Sequence, residues 1–261
     1  MVWLIIFIFV PMALVAYYAF SDKSGAFSLE NIGRFFEPVY LSVMARSILN
    51  ALACTAICLA IGYPLAAILA GSAFRRKETM LLLLVVPMWM NFLLRTYAWL
   101  SLLENNGLIN TFISWLGFAK LPLLYNNGSV ITGMVYNFLP FMVLPIYSVL
   151  AKIDRSLIQA AEDLGADKYR VFFRVRLPLS MPGVMSGITM VFMPAVTTFV
   201  ISRLMGGGKT TMIGDLIERQ FLTMYDWNFG SAISFIMMIA ILITMAVMSK
   251  FESEDKGEAL I

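Results

Sequence analysis

Ile48-Leu-Asn-Ala-Leu-Ala-Cys-Thr-Ala-Ile-Cys-Leu-Ala-Ile-Gly-Tyr-Pro-Leu-Ala-Ala-Ile-Leu-Ala-Gly71 runs from end to end without a charged side chain. A helix rises about 1.5 Å per residue, so about 20 apolar residues cross a hydrocarbon core of about 30 Å. This stretch is long enough, and five others read the same way. Together the expected spans are 1–20, 48–71, 80–103, 129–150, 183–204 and 229–248. The composition agrees: 60% of the chain is hydrophobic and only 13% charged, against about 25% charged in soluble domains. The reading is a single all-α, polytopic membrane domain covering residues 1–261, with six transmembrane helices and membrane lipid as its surroundings. The first stretch lacks a basic n-region and a small-residue cleavage site, so it reads as a retained span.

Lysine and arginine set the orientation. One side carries Arg75, Arg76, Lys77, Lys152, Arg155, Lys168, Arg170, Arg174, Arg176, Lys250 and Lys256. The other has Lys23, Arg34, Arg46, Lys120, Lys209 and Arg219. The richer side is expected to be cytoplasmic, with both termini inside. Pro11, Pro64, Pro87, Pro140, Pro145 and Pro194 fall in the spans. A helix bundle tolerates them because neighbouring groups satisfy the freed carbonyls.

Several functions are disfavoured. A net charge of +3 gives no footprint for nucleic acid. Histidine is absent and the cysteines are only Cys54 and Cys58. They lie four apart on one helical face, as core- or lipid-facing residues. No disulfide framework, metal site or His-based catalytic set follows, and no cofactor is expected. Gly206-Gly-Gly-Lys-Thr-Thr211 is not a P-loop. The leading glycine of that pattern would stand at Arg203, and no strand precedes it. It reads as a tight turn. No acid lies in any expected span and no repeat is evident, which argues against a self-contained secondary transporter or channel.

The segment 152–182 is polar but not turn-like. Ile153, Leu157, Ala160, Ala161 and Leu164, then Val171, Phe172 and Val175, recur at three- and four-residue spacing. That spacing predicts amphipathic helix. Gly165 can end one helix and Asp167 can cap the next. A helix–turn–helix lying against the membrane face, between spans 4 and 5, is expected.

Within it, Gln159-Ala160-Ala161, Gly165, Val175 and Leu177-Pro178 resemble the EAA signature of ABC importer permeases. That signature is Glu-Ala-Ala, three residues, Gly, nine residues, Ile, one residue, Leu-Pro. Gln159 replaces the glutamate and Val175 the isoleucine; the spacings fit. The resemblance implies a coupling helix docked on an ATPase subunit, carried here by Gln159, Ala160, Ala161, Glu162, Asp163, Gly165, Asp167, Lys168 and Arg170. It extends over nearly the whole chain and is closest to the spermidine/putrescine permeases. Carrying it are Phe27–Asn31, Arg34-Phe-Phe, Pro87–Trp99, Asn106–Asn110, Phe138–Met142, Leu144–Tyr147, Met205-Gly-Gly and Asp226–Gly230. Importers of ferric iron, thiamine or phosphonates share the loop but are less alike from Asn91 to Trp99. The family implies a bacterial inner membrane location and a non-catalytic subunit. Its partners would be a second, homologous permease, two ATP-binding subunits and an external substrate-binding protein.

A polycation is attracted by carboxylates and aromatic faces. Trp89, Tyr97, Trp99 and Tyr136 are candidates for the pathway wall, and Asp215, Glu218 and Asp226 for its outer mouth. Interfacial anchoring is the competing role for such rings. Asn91 and Arg95 are four apart and would share a face of the third span. An arginine there is costly and reads as a structural pin or gate. Arg203 replaces an acid often found in the family before Met-Gly-Gly.

Overall fold

The computed structural model describes residues 3, 5–71 and 77–258, with side chains described as far as Ala246 except at positions 5, 77 and 155. Arg75, Arg76 and the first residues of the first expected span lie outside the described residues. The described regular structure is helical, apart from one isolated bridge between Ser21 and Phe27.

The chain begins with a π-turn at Ile5–Phe9 that leads into α1 (Val10–Ala19). Next come α2 (Glu30–Phe35) and α3 (Pro38–Ala70). Helix α3 starts ten residues ahead of the expected span. Pro38 stands in its first turn, where a missing N–H costs nothing. Arg46, assigned above to an outer loop, therefore lies within a helix. Helices α4 (Lys77–Trp89) and α5 (Phe92–Leu103) replace the expected straight third span, and α6 (Leu108–Trp115) follows. Helix α7 (Asn127–Leu150) matches the fourth span closely. Its start is fixed by a capping box, in which the Asn126 side chain accepts from Ser129 N and Ser129 Oγ from Asn126 N.

Beyond α7, α8 (Arg155–Asp163) and α9 (Lys168–Val171) flank Gly165. A π-turn at Phe172–Arg176 joins α9 to α10 (Leu177–Thr197). Lys168–Thr197 thus runs as one helical stretch, so the helix of the fifth expected span begins well before Gly183. It ends early as well. Thr198 is extended, and α11 (Val200–Met205) is a separate short helix. Helices α12 (Ile213–Leu222) and α13 (Trp227–Glu258) complete the chain.

Among the described residues, four helical stretches are long and apolar enough to span: Pro38–Ala70, Asn127–Leu150, Lys168–Thr197 and Trp227–Ala246. The bent pair around Asn91 adds a fifth, and Ile6–Ala19 is shorter. The core lies where α3, α7 and α10 pack together. Small residues allow close approach there, as membrane helix pairs require. A Cβ on Gly183 would stand 2.9 Å from the Pro145 carbonyl oxygen, one on Gly187 2.8 Å from Met142 Sδ, and one on Gly62 3.0 Å from Met142 Cγ. Cys54 and Cys58 are fully buried in this core, so they face protein and not lipid. Polar clasps also tie the helices together. Asn50 and Asn127 exchange amide hydrogen bonds of 2.8 and 2.9 Å. Tyr63 Oη and Ser180 Oγ are 2.9 Å apart. Helix α13 packs along α1 and α12.

Candidate functional site

The expected third span is bent by 96° at Met90–Asn91. Asn91 is the reason at the residue level. Its side chain accepts from Leu93 N at 2.8 Å, capping α5. Asn91 and Arg95 therefore do not share a helical face; Asn91 stands outside the helix that Arg95 belongs to. Arg95 is only 9% exposed. Its Nε has no hydrogen-bond partner, and its guanidinium carbon lies 6.0 Å from the Phe92 ring centroid. Of the four candidate aromatics, only two meet. Trp99 and Tyr136 pack edge to face at 5.2 Å. Trp89 is 77% exposed at the end of α4, and Tyr97 is half exposed on α5.

The three outer acids are not gathered into one open cluster. Asp215 sits in the first turn of α12, where its Oδ2 accepts from Ser202 Oγ at 2.6 Å and Met212 N at 2.9 Å. Oδ1 is buried without a partner. Burial pushes this carboxyl above the ordinary carboxylate range, against the two hydrogen bonds that oppose it. Glu218 is ion-paired with Arg203. Asp226 pairs with Arg34 at 3.3 Å, and the Arg34 guanidinium lies 4.2 Å from the Phe229 ring centroid. Sequence reading missed this Arg34 role, because the partners are 192 positions apart. Gly206–Thr211 forms a turn with Gly207 and Gly208 in the left-handed region, at φ 57° and 75°, and Lys209 N donates to Gly206 O.

At the opposite end, Asp154 caps α8 through Ser156 N and Asp167 caps α9 through Arg170 N, at 2.9 and 2.8 Å. Gly165 between them has φ +82°, where an L side chain is strained. The apolar stripe divides: Val171 is buried and Ile153 and Phe172 pack against the core, while its outer members are exposed. Leu157 is half exposed, Leu164 is 89% exposed and Tyr169 is 78% exposed. The other face of α8 turns inward: Ile158, Gln159 and Glu162 line a cavity against the ends of α3 and α7. The EAA-like residues therefore divide. Gln159 and Glu162 line the cavity mouth and are themselves exposed, while Asp163, Gly165, Asp167, Lys168 and Arg170 are exposed away from it. Leu164 and Tyr169 are surface residues that the sequence reading underweighted. Their signal was large apolar side chains beside the glycine turn.

The fold is a helical bundle with prolines inside its long helices and an exposed, capped helix pair between α7 and α10. The chain belongs to the family described as "Binding-protein-dependent transport system inner membrane component", whose model matches residues 62–252. It is 40% identical over 254 residues to the spermidine/putrescine transport system permease protein PotB of Escherichia coli (strain K12), covering 94% of this chain and 91% of that protein. The corresponding protein of Haemophilus influenzae (strain ATCC 51907 / DSM 11121 / KW20 / Rd) is 37% identical, over 94% of this chain and 87% of its own. In fold, the chain is similar to a bacterial ABC transporter involved in the import of the acidic polysaccharide alginate, with a TM-score of 0.78 at 17% identity. That match covers 97% of this chain and 92% of the other. The methionine transporter MetNI matches with a TM-score of 0.58 at 14% identity, over 84% and 99% of the two chains. The chain is a non-catalytic, multi-pass transport subunit of the inner membrane.

Proposed function

We propose that this chain forms half of the translocation path of an ATP-driven importer for spermidine or putrescine. Its cargo arrives from an external binding protein. A second, homologous permease supplies the other half of the path, and two ATP-binding subunits drive it. In this reading the chain crosses the membrane six times with both termini in the cytoplasm. The first crossing is the expected span 1–20, and the third is the bent α4–α5 pair. The cargo assignment is supported by 40% identity to a spermidine/putrescine permease over nearly the whole chain. Trp99 and Tyr136 form the aromatic core of the path, with Trp89 and Tyr97 as further rings along it. An ammonium group gains about 0.5–2 kcal/mol from each ring, enough to guide a cargo that must also leave. Asn91 holds the bend and Arg95 is the pin that fixes α5. Arg34 and Arg203 hold Asp226 and Glu218 in reserve at the outer mouth, beside Asp215.

The observation that carries the coupling assignment is the exposed stripe of Leu157, Leu164 and Tyr169 beside Gly165. Large apolar side chains on a polar, capped helix pair suit a protein partner better than water. An ATPase subunit buries them, and the ends of Asp163, Asp167, Lys168 and Arg170 set the register. The test is Gly165→Trp and Leu164→Asp in the assembled complex. Both should leave the helices inserted, keep basal ATP hydrolysis measurable and abolish ATP-driven polyamine uptake. Normal uptake in both variants would remove the coupling assignment.

A further inference from the structure

Behind the exposed stripe, a cavity of about 360 Å³ opens between α8 and the ends of α3 and α7. That is the small end of the range for ligand pockets, about 300–1,000 Å³. Its lining includes the apolar side chains of Ala67, Ala70 and Leu150, together with Tyr63. The lining also carries Glu162 on α8 and Arg176 on the π-turn. Both are exposed to the opening. The described ion pairs are Arg34–Asp226 and Arg203–Glu218, so neither Glu162 nor Arg176 is engaged by a described residue. A cavity with one anion, one cation and an apolar wall selects a zwitterion with an apolar tail. A polyamine would meet Arg176, and a simple anion would meet Glu162. The site sits at the ends of two spans, where hydrocarbon gives way to headgroups.

We propose that this cavity holds the headgroup of a phosphatidylethanolamine molecule of the cytoplasmic leaflet. The Arg176 guanidinium takes the phosphate as a charge-assisted pair. The Glu162 carboxylate accepts from the ethanolamine ammonium. The acyl chains leave along Ala67 and Ala70 toward the bilayer. The lipid thus forms a wedge between the coupling helix and the bundle, on the face opposite Leu157 and Leu164. This inference rests on the importer reading and on the orientation that puts α8 in the cytoplasm; it does not depend on the cargo.

Native mass spectrometry of the complete transporter tests it, with ethanolamine, choline and glycerol phospholipids of identical chains offered in equal amounts. The wild type should retain the ethanolamine lipid over the choline lipid by roughly tenfold, the worth of about one charge-assisted hydrogen bond. Glu162→Gln should bring that ratio close to one while lipid is still bound. Arg176→Ala should lose retention altogether. Lys152→Gln, exposed beside the cavity but not lining it, should behave as the wild type. Equal retention of the three lipids by the wild type overturns the proposal. So does displacement of the lipid by soluble O-phosphoethanolamine or inorganic phosphate at low concentration, which would make the ligand a soluble metabolite. Absence of lipid from the ATPase-bound complex also overturns it, since the partner then fills the cavity. Polyamine uptake by the same preparation is read in parallel. Uptake without lipid selectivity removes the lipid site alone; selectivity without uptake removes the cargo assignment alone.

Discussion

Asp215 is a carboxyl whose charged form burial works against. Its carboxyl is raised above the ordinary value of 3.8, with desolvation as the largest cause. The folded protein therefore keeps the proton at pH values where the unfolded chain has lost it. Stability is greatest below the unfolded value and falls as pH rises through the raised folded one. Asp215→Asn removes this titration and keeps an acceptor for Met212 N. Its thermal midpoint in the purified complex should equal that of the wild type near pH 3 and match or exceed it at pH 7. A variant less stable at pH 7 but equal near pH 3 would contradict the assignment. Gly183 makes a sterically simpler case. Its missing Cβ would stand 2.9 Å from a backbone oxygen, which cannot swing aside. Gly183→Val should cost about 1–3 kcal/mol by forcing α7 and α10 apart, seen as a lower midpoint. Gly33→Ala, with nothing near its Cβ position, should not do so.

At the scale of elements, hydropathy located helices but not their breaks. The fourth span was read to within two residues because a polar cap, Asn126, sits where the apolar run begins. The third was read as straight because Met90 and Asn91 cost an apolar window little. Yet Asn91 is a good cap, and only its hydrogen bond to Leu93 N tells a cap from a buried amide. The same blindness merged α10 with α11 across Thr198. Helix α3 was cut short because Arg46 and Ser47 lower the local hydropathy, although Ser47 Oγ donates to Val43 O within the helix and accepts from Ile213 N. The EAA-like spacing marked the segment around Gly165, but periodicity could not say which side of α8 faces solvent. Pairings such as Arg34 with Asp226 carry no local signal at all. If the bend matters to transport, Asn91→Ala should weaken the cap by about 1 kcal/mol. Uptake should then slow while insertion, judged by protease accessibility of the loops, stays unchanged.

For the whole molecule, the importer reading makes the chain insufficient by itself. Expressed or reconstituted without partners, it should insert and give no polyamine uptake; uptake by the isolated chain would refute the assembly. Within the assembled complex, Trp99→Leu keeps an apolar side chain but removes the ring face offered to an ammonium. Uptake should fall several-fold with assembly intact, as should that of Tyr136→Leu. If both variants import polyamine at the wild-type rate, Trp99 and Tyr136 are anchors and not part of the path.

The amide pair between Asn50 and Asn127 also sets an order of events at synthesis. The two residues are 77 positions apart. At about 5–20 residues per second, the ribosome takes roughly 4–15 s to make the second after the first. Once the helix carrying Asn50 has left the ribosome, it waits a comparable interval with an amide that has no mate. A nascent chain in that state is a natural client for an insertase or for the translocon wall, which can shelter a polar side chain until its counterpart arrives. Asn127→Leu removes the counterpart for good. It should turn a brief dependence on such a holdase into a lasting one, visible as a persistent crosslink between position 50 and the insertion machinery.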